Sequence, residues 1–268
     1  MPLDELRAAV RRVIGGDVPM SEPAGGEPPA LRRSTGANSR QAERYRDGRV
    51  FLVGDSAHVH SGVGGPGLNL GMQDVLNLGW KLAAAVNGWA AEGLLDTYQS
   101  ERLPVGQRVI MHTRAQTALL SPGANITALR ELFEELLREQ GTVRQIADLM
   151  AGADFSYGTP GAGPAHAMAG RWMPDIALHT GNGPTRIAEL LHAARPILLT
   201  LADRADLADA AKGWADRVEV ITAAAAEPPA DAVLIRPDGY AAWAANGGTP
   251  GAADDLSRNL QTWFGDAA

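Results

Sequence analysis

One segment of the sequence, residues 49–86, constrains the fold more than any other. A short run rich in β-branched and aromatic residues, RVFLV, is followed by Gly-Asp and then by a loop with four glycines in six residues. A long run with helical spacing comes next, so the loop is predicted to lie where a strand passes into the N-terminus of a helix. The glycines of the loop are Gly62, Gly64, Gly65 and Gly67.

Such a loop in front of a helix suits the polar edge of a flat ligand. Glycines allow positive φ and place no Cβ between the backbone and the ligand. The N–H groups in the first turn of a helix are free and carry partial positive charge, which favours anionic or carbonyl groups. Asp55, directly after the predicted strand, can accept hydrogen bonds from a ligand hydroxyl, as acidic residues do in dinucleotide-binding folds. The segment therefore predicts a site for a large, flat, hydroxylated cofactor.

Composition excludes several classes of function. With 268 residues, 45% hydrophobic and 21% charged, the chain is typical of a soluble globular protein of one large or two modest domains. A net charge of −7 argues against nucleic acid and anionic membranes as partners. No apolar stretch approaches a membrane span or a signal-peptide core, so we expect a cytoplasmic protein. The sequence has no cysteine, which excludes disulfides and thiolate chemistry.

The first half of the chain is predicted to be mainly helical. A helical pair is expected over residues 94–119, with a break near Pro104, and two shorter helices are expected between Asn125 and Gly152. The helix after the glycine loop is predicted to bury an apolar stripe at 3–4 spacing. This stripe comprises Met72, Val75, Leu76, Gly79, Leu82, Ala83 and Val86.

A Gly/Pro-dense stretch divides the chain into two predicted domains. We expect one domain over residues 1–157, a linker over 158–168 and a second domain over 169–268. The second half alternates strands with helical runs, and Asp238-Gly239 is a hairpin signal, so a small thioredoxin-like α/β domain is predicted. Without Cys-x-x-Cys its role is structural or interfacial. The predicted strands are 197–201, 218–222 and 233–236, and the helical runs lie near 185–192 and 207–215.

The segment GRVFLVGDSAHVHSGVGGPGLNLGMQDVLNLGWKL resembles the second FAD-binding motif of FAD-dependent aromatic hydroxylases, the class A flavoprotein monooxygenases, and specifically those acting on bacterial aromatic polyketides. LLDTYQSERLPVGQRVI is similar to the helix pair that follows in that family, and RVEVITAA and AVLIRPDGYAAW resemble strands of its C-terminal domain. The resemblance implies an α/β chain with an incomplete FAD-binding domain, built of strand, loop and helices, followed by a thioredoxin-like domain.

The resemblance also implies site residues and cofactors. In the family the Gly-Asp pair contacts the ribityl chain, which corresponds to Gly54 and Asp55. The glycine loop offers N–H groups to the pyrimidine edge of the isoalloxazine, which corresponds to FAD-binding roles for Gly65, Gly67, Leu68 and Asn69. FAD is the implied cofactor, NAD(P)H the reductant and an aromatic polyketide the substrate class. The chemistry belongs to the cofactor, so no catalytic acid or base is assigned.

Relatives begin with a strand, a G-x-G-x-x-G turn and a helix that hold the FAD pyrophosphate and adenosine, and this unit is absent from the chain. We therefore expect a half-site that binds FAD weakly and needs a complementary N-terminal polypeptide, and an exposed apolar face that favours self-association. Two alternatives stay open. The chain is a non-redox module that binds a polyketide or a partner, or that performs cofactor-independent chemistry; or it is a fragment of a longer enzyme.

Other polar residues have simpler interpretations. His58 and His60 form an H-x-H pair, for which a structural role is favoured over metal binding. Asp96, Glu101 and Arg102 are predicted to form surface or helix–helix ion pairs that add little stability. Six arginines before the Gly-Asp pair suit a solvated surface, with a phosphate or nicotinamide-cofactor contact as the sharper alternative. These are Arg32, Arg33, Arg40, Arg44, Arg46 and Arg49.

Overall fold

The structure, a computed structural model, describes residues 2–21, 38–158 and 166–268, so most of the predicted linker lies outside the described residues. The first part is mainly helical, and its short strands form two antiparallel pairs, β1 with β4 and β2 with β3. Its elements are α1 (Leu3–Ile14), β1 (Arg40–Gln41), β2 (Arg46–Asp47), β3 (Val50–Phe51), β4 (His58–Val59), α2 (Gly67–Val86), α3 (Asp96–Leu119), α4 (Ala124–Leu136) and α5 (Gln140–Ala151).

The second part is built on a six-stranded sheet with the order β10-β9-β7-β8-β5-β6. Strands β7 and β8 are parallel and all other neighbours are antiparallel. The elements are β5 (Ala177–Thr180), β6 (Gly183–Arg186), α6 (Ile187–Leu190), β7 (Ile197–Thr200), α7 (Ala205–Ala210), β8 (Glu219–Ala224), β9 (Ala232–Ile235), β10 (Ala241–Ala245) and α8 (Ala252–Phe264).

The order β10-β9-β7-β8 confirms the predicted thioredoxin-like arrangement. The β7–α7–β8 unit gives two parallel strands. The hairpin at Asp238-Gly239 then adds β9 antiparallel to β7, and β10 antiparallel to β9. The β5–β6 hairpin extends the sheet beyond β8. Strand β7 is buried on both faces, as a central strand should be.

The two parts share one apolar core. Trp80 and Ala84 of α2 and Leu94 before α3 belong to the same buried cluster as the sheet and α8. The rings of Trp80 and Trp263 lie 6.4 Å apart between centroids. The second part therefore packs against α2, the helix that follows the glycine loop. This packing fixes the helix at whose N-terminus the loop lies.

Helix α3 corrects one prediction, because it runs unbroken from Asp96 to Leu119 with Pro104 inside it. A proline inside a helix removes one N–H donor and crowds the carbonyl one turn earlier, and packing can offset this cost. Arg102 before the proline and Val105 after it are both buried. These contacts on both sides of Pro104 hold the two predicted segments in a single helix.

Helix α2 corrects a second prediction, because the apolar stripe that was expected to be buried is largely exposed. Val75 is 57% exposed, Leu76 52% and Val86 86%. The buried face carries other apolar side chains, among them Trp80 and Ala84, together with the polar and charged residues Asp74, Asn77 and Lys81. Polar burial is tolerated here because each of these groups has hydrogen-bonding partners on neighbouring elements. Among the helices of the described residues, none is long and apolar enough to span a bilayer.

Candidate cofactor site

A cavity of about 930 Å³ lies between the Gly54–Asp55 turn, the glycine loop and the N-terminal half of α2. This volume is at the upper end of the range for small-molecule sites. Five of the six predicted site residues line the cavity: Gly54, Asp55, Gly65, Gly67 and Leu68. The sixth, Asn69, lines a neighbouring pocket of about 50 Å³ beside α3 and α5.

The glycine loop leaves its backbone uncovered toward open space. Gly64 and Gly65 adopt φ of +79° and +65°, a conformation that only glycine takes without strain. A Cβ built on Gly62 or Gly65 would meet no protein atom within 4 Å. A flat ligand can therefore approach this backbone closely, and side chains at these positions would fill the space that such a ligand needs.

Helix α2 begins at Gly67 beside the same cavity, with Pro66 as its N-cap residue and no side chain capping it. Its first-turn N–H groups at Gly67 and Leu68 are thus free to bind a ligand that carries carbonyl or anionic oxygens. The chemistry of this set, backbone donors beside a carboxylate at Asp55, fits a cofactor that has both an acceptor edge and hydroxyl groups.

The Gly54–Asp55 turn is held from behind by Asp74 of α2. Asp74 Oδ2 accepts hydrogen bonds from the Gly54 N–H at 3.1 Å and from His58 Nε2 at 2.6 Å. The turn also packs directly on the helix, since a Cβ built on Gly54 would lie 3.7 Å from the Cα of Gly71. A Cβ at this distance would make ordinary van der Waals contact, and it is the φ of +59° at Gly54 that favours glycine there.

Burial alone would raise the pKa of Asp74, but the hydrogen bond from His58 and the charge and hydrogen bond of Arg102 lower it below its ordinary value. Arg102 Nε donates to Asp74 Oδ1 at 2.6 Å. Asp74 is therefore ionised at neutral pH, and its two oxygens serve different groups, the arginine on one side and the cofactor turn on the other.

Glu101 and Arg102 of α3 form ion pairs with Lys81 and Asp74 of α2, as the helix–helix alternative predicted. The expectation of weak pairs at the surface is wrong for these two residues, which are only 6% and 1% exposed. It holds for Asp96, which pairs at 2.5 Å with Arg46 at the surface. Neighbouring residues of a helix point about 100° apart, so Glu101 and Arg102 enter two different buried sites. Arg102 contacts Asp74, whereas Glu101 contacts the second part of the chain.

Glu101 is the centre of a charged network between the two parts of the chain. Both its oxygens accept from Arg236 of the β9–β10 turn, at 2.6 and 2.9 Å, and Lys81 Nζ donates to it at 2.7 Å. Asn77 Nδ2 donates to both Glu101 and Asp238, and Arg236 donates to Asp238 as well. Two positive and two negative groups are thus buried together with their charges balanced.

The pKa values in this network follow from burial and charge. Burial opposes ionisation of Glu101, but Arg236 and then Lys81 outweigh it and lower its pKa to about 2. Burial is the largest influence on Lys81 and lowers its pKa to about 8 despite the charge of Glu101. Lys81 is the member of the network whose charged form the fold tolerates least.

An aromatic box surrounds the Arg236 guanidinium. Its carbon lies 4.5 Å from the ring centre of Trp263, 5.4 Å from those of Trp80 and Tyr157 and 5.8 Å from that of Tyr240. Cation–π attraction adds to the ion pairs when such a group is removed from water. The box draws on α2, the segment before the linker and the second part, so Arg236 ties all three together.

The two histidines of the H-x-H pair lie in different environments. His58 is buried on Asp74, whereas His60 lines the cavity and its Nδ1 lies 2.9 Å from the Ser61 carbonyl oxygen. No group of three His, Cys, Asp or Glu residues within the described ranges is arranged to hold a metal. Arg40, Arg44 and Arg49 are exposed, while Arg32 and Arg33 lie outside the described residues.

The sequence reasoning missed the polar face of α2. Asp74, Asn77 and Lys81 recur at spacings of three and four, so they lie on one side of the helix. Three polar residues at helical spacing inside a mainly apolar run are the signal that could have found them. The apolar stripe has the same period, and the usual rule favours burying the apolar one.

Two family profiles match this chain, one in each of its two parts. The profile described as the FAD binding domain matches residues 20–113, which include the Gly-Asp turn, the glycine loop and α2. The profile described as the aromatic-ring hydroxylase C-terminal domain matches residues 166–267, which form the thioredoxin-like part. The two profiles thus lie in the order that the resemblance implies, an FAD-binding portion followed by the family's C-terminal domain.

Full-length relatives agree with the profiles. The 12-dehydrotetracycline 5-monooxygenase/anhydrotetracycline 6-monooxygenase of Streptomyces rimosus is 45% identical over 271 residues, covering 99% of this chain and 52% of the relative. The dialkyldecalin synthase of Streptomyces rugosporus is 41% identical over 269 residues, covering 99% and 50%. The crystal structure of an aromatic hydroxylase from angucycline biosynthesis superposes with a TM-score of 0.82 at 43% identity, covering 100% and 54%.

The chain belongs to the FAD-dependent aromatic-ring hydroxylase family. It spans about half the length of the curated relatives it matches and corresponds to their C-terminal portion. The fold predicted from the resemblance, part of an FAD-binding domain followed by the family's C-terminal domain, is confirmed.

Proposed function

We propose that this chain supplies the isoalloxazine and ribityl half of the FAD site of an NAD(P)H- and O2-dependent aromatic polyketide hydroxylase, and that a complementary N-terminal polypeptide completes the site. The observation that carries the proposal is the cavity at the uncapped N-terminus of α2, bordered by bare glycine backbone and by Asp55. The names of the relatives, several of which are monooxygenases of aromatic polyketides, support the substrate class.

The residues of the cavity have distinct roles in this proposal. Asp55 accepts hydrogen bonds from ribityl hydroxyls, while Gly54 allows the turn to approach the chain of the cofactor. The N–H groups of Gly67 and Leu68 bind the pyrimidine edge, and the α2 N-terminus favours negative charge there. The Gly65 N–H donates to the Gly62 carbonyl at 3.2 Å, so Gly65 contributes by allowing the ring to approach the backbone. Bound flavin supplies the activation of oxygen for ring hydroxylation. The protein binds and orients; we assign it no acid or base.

The position of Asn69 modifies its predicted role. Its side chain lines the small pocket next to α3 instead of the main cavity. Its backbone N–H nevertheless belongs to the first turn of α2, three residues after Pro66. We therefore propose that Asn69 contributes through its backbone.

The exposed apolar stripe of α2 supports the need for a second polypeptide. Met72, Val75 and Leu76 line the cavity and are each at least half exposed. Large contiguous apolar patches are uncommon on monomeric proteins and mark interaction surfaces. A polypeptide equivalent to the unmatched half of the relatives would cover the stripe and close the cavity on the side where the FAD pyrophosphate must bind.

Complementation tests this function directly. The chain is mixed with a separately expressed N-terminal half of a relative, FAD is added, and NAD(P)H oxidation and ring hydroxylation are followed with an anhydrotetracycline-type substrate. We expect flavin-dependent oxidation only in the mixture. The purified chain alone should be colourless or bind FAD weakly. A stoichiometrically yellow preparation of the chain alone would contradict the half-site.

Asp55→Ala gives a matched pair with Asp47→Ala, since both aspartates are exposed and lie eight positions apart. In the complemented protein we expect Asp55→Ala to weaken FAD binding about tenfold, because a ligand hydroxyl loses its acceptor. Asp47→Ala should leave binding unchanged. Equal affinities for both variants would remove Asp55 from the site.

The dialkyldecalin synthase among the relatives supports a second candidate, a cofactor-independent cyclisation by the same scaffold. In that case a polyene or polyketide ligand binds the apolar cavity and the reaction needs no reductant. Turnover of such a substrate by the complemented protein without NAD(P)H would favour this function. Strict dependence on reductant and oxygen would favour the hydroxylase.

A further inference from the structure

We infer that Arg102 is a positioning residue through which the C-terminal α/β part of the chain fixes the Gly54–Asp55 turn. The path runs from Tyr240 and Arg236 through Tyr157 to Arg102, and from there through Asp74 to the turn. Its consequence for flavin rests on the proposed function, whereas the path itself is a property of the chain alone.

The end of the path at the cavity is the Asp74 carboxylate. Its Oδ2 accepts the Gly54 N–H at 3.1 Å and its Oδ1 accepts from Arg102 Nε at 2.6 Å. A carboxylate is rigid and planar, so its two oxygens move together. The bond from Arg102 to Oδ1 therefore helps to set the position of Oδ2, which accepts from the Gly54 N–H. Asp55 follows Gly54 directly and lines the cavity. The hydrogen bond that positions Gly54 therefore also positions the Asp55 backbone.

Arg102 is held on every side of its guanidinium. One terminal nitrogen donates to the Tyr157 hydroxyl at 2.9 Å, and the other donates to the Leu70 carbonyl at 3.2 Å and to Gln73 Oε1 at 3.3 Å. Its planar fork of donors fixes direction as well as distance. Removing the tyrosine hydroxyl would leave one terminal nitrogen without its partner, so the guanidinium would be held less tightly against the carboxylate.

Tyr157 belongs to the first part of the chain but is attached to the second. Its N–H donates to the Gly170 carbonyl at 2.8 Å, and the Gly170 N–H donates to Ala241 of β10 at 2.8 Å. Its ring lies 4.2 Å from that of Tyr240, between centroids, and the Arg236 guanidinium lies 5.4 Å from it. The sheet therefore sets the position of the tyrosine hydroxyl.

Tyr157→Phe tests the path without touching Asp74, Gly54 or the cavity. The readout is hydrogen exchange of the Gly54 amide in the isolated chain, measured by NMR. We expect exchange about tenfold faster at Gly54, with the slowest core amides of β7 and β9 changed less than twofold. Thr200→Val is the matched control, because it also deletes a buried hydroxyl but lies in the sheet away from α2. It should leave Gly54 unchanged.

Tyr240→Leu gives a second variant if the first folds poorly, since it removes the ring that stacks on Tyr157 and leaves the hydroxyl bond in place. We expect about threefold faster exchange at Gly54. Unchanged exchange at Gly54 in both variants, acceleration only in parallel with the whole core, or the same effect from Thr200→Val would each overturn the inference.

The flavin consequence is measured separately in the complemented protein. Tyr157→Phe is expected to weaken FAD binding about fivefold compared with Thr200→Val. If the unaltered complemented protein binds no FAD, the proposed function fails while the exchange result still decides the path. If it binds FAD and Tyr157→Phe has no effect on Gly54 exchange, the path fails while the proposed function stands.

Discussion

The two faces of helix α2 depart from the usual rule that charged side chains are exposed and apolar ones buried. The face that carries Met72, Val75 and Leu76 is apolar and exposed, whereas the buried face combines the charged residues Asp74 and Lys81 with apolar side chains such as Trp80. The charged face contacts α3 and the β9–β10 turn, and every charge there has a partner. The apolar face borders the open cavity.

The buried face of α2 bears on the stability of the chain, whereas the exposed face bears on the proposed assembly with a second polypeptide. On the buried side, removing one member of the balanced ion pairs leaves its partner buried and uncompensated, which costs stability. The exposed stripe contributes little to the chain itself and offers area for a partner. One helix thus serves the fold on one side and the proposed cofactor assembly on the other, and substitutions on the two sides should have opposite patterns of effect.

The largest effect is expected from Glu101→Gln on the buried face. The variant leaves Lys81 and Arg236 facing each other with one acidic group fewer, and breaking such a buried pair costs about 3–5 kcal/mol. The free energy of unfolding, measured by urea denaturation, should fall by this amount. Glu134→Gln, on an exposed position of α4, should change it by less than about 0.5 kcal/mol.

A double change sharpens this result. Lys81→Met combined with Glu101→Gln removes one charge of each sign and should recover part of the loss, since the remaining Arg236–Asp238 pair is balanced. Strict additivity of the two single changes would show that Lys81 and Glu101 do not act on each other, which would contradict the network described above.

The next effect concerns the exposed face. Leu76→Glu should leave the unfolding free energy of the chain within about 0.5 kcal/mol, because the side chain is already half exposed. It should weaken binding to the complementary polypeptide at least about thirtyfold, because a charge would be buried without a partner. Calorimetry measures both quantities. Thr262→Glu adds the same charge on an exposed position of α8 and should alter neither.

The pH dependence of stability gives a third test. The pKa of Lys81 is lowered from 10.5 to about 8, so above pH 8 the folded chain loses this proton while the unfolded chain retains it. The unfolded state then binds more protons, and the free energy of unfolding should rise with pH from about 8 to 9.5, by on the order of 1–2 kcal/mol. Lys81→Met should abolish the rise. A rise of equal size in the variant would assign it to other groups.

The smallest effect is expected at the surface pair on α3. Asp96 is 73% exposed and pairs with Arg46, and exposed pairs of this kind add at most about 1 kcal/mol. Asp96→Asn should therefore lower the unfolding free energy by less than about 0.5 kcal/mol, and less still in high salt. A loss comparable to that of Glu101→Gln would mean that exposure does not govern the strength of ion pairs on this helix.

Much of the fold could be predicted because it depends on local patterns. Strands β7, β8 and β9, the Asp238-Gly239 hairpin and the loop before α2 follow from residue types and spacing. Strands β5 and β6 were not predicted, and the helical run expected near 185–192 is wrong at residues 185–186, because these residues pair with β5 as part of strand β6. The break at Pro104 was predicted wrongly, since a proline penalty is local while the packing that overcomes it involves distant residues. The buried roles of Glu101 and Arg102 were missed for the same reason: each has its partners far away in the sequence.

The amino-acid sequence by itself determined the family, the order of the two parts and five of the residues that line the cavity, because glycine spacing and strand–helix boundaries are encoded within short segments. Only the tertiary structure decided which face of α2 is buried. Two stripes of equal period compete in that helix, and the choice depends on where Arg102, Glu101 and Arg236 come to lie. Those positions are set by contacts between residues as many as 135 apart, which no local pattern specifies.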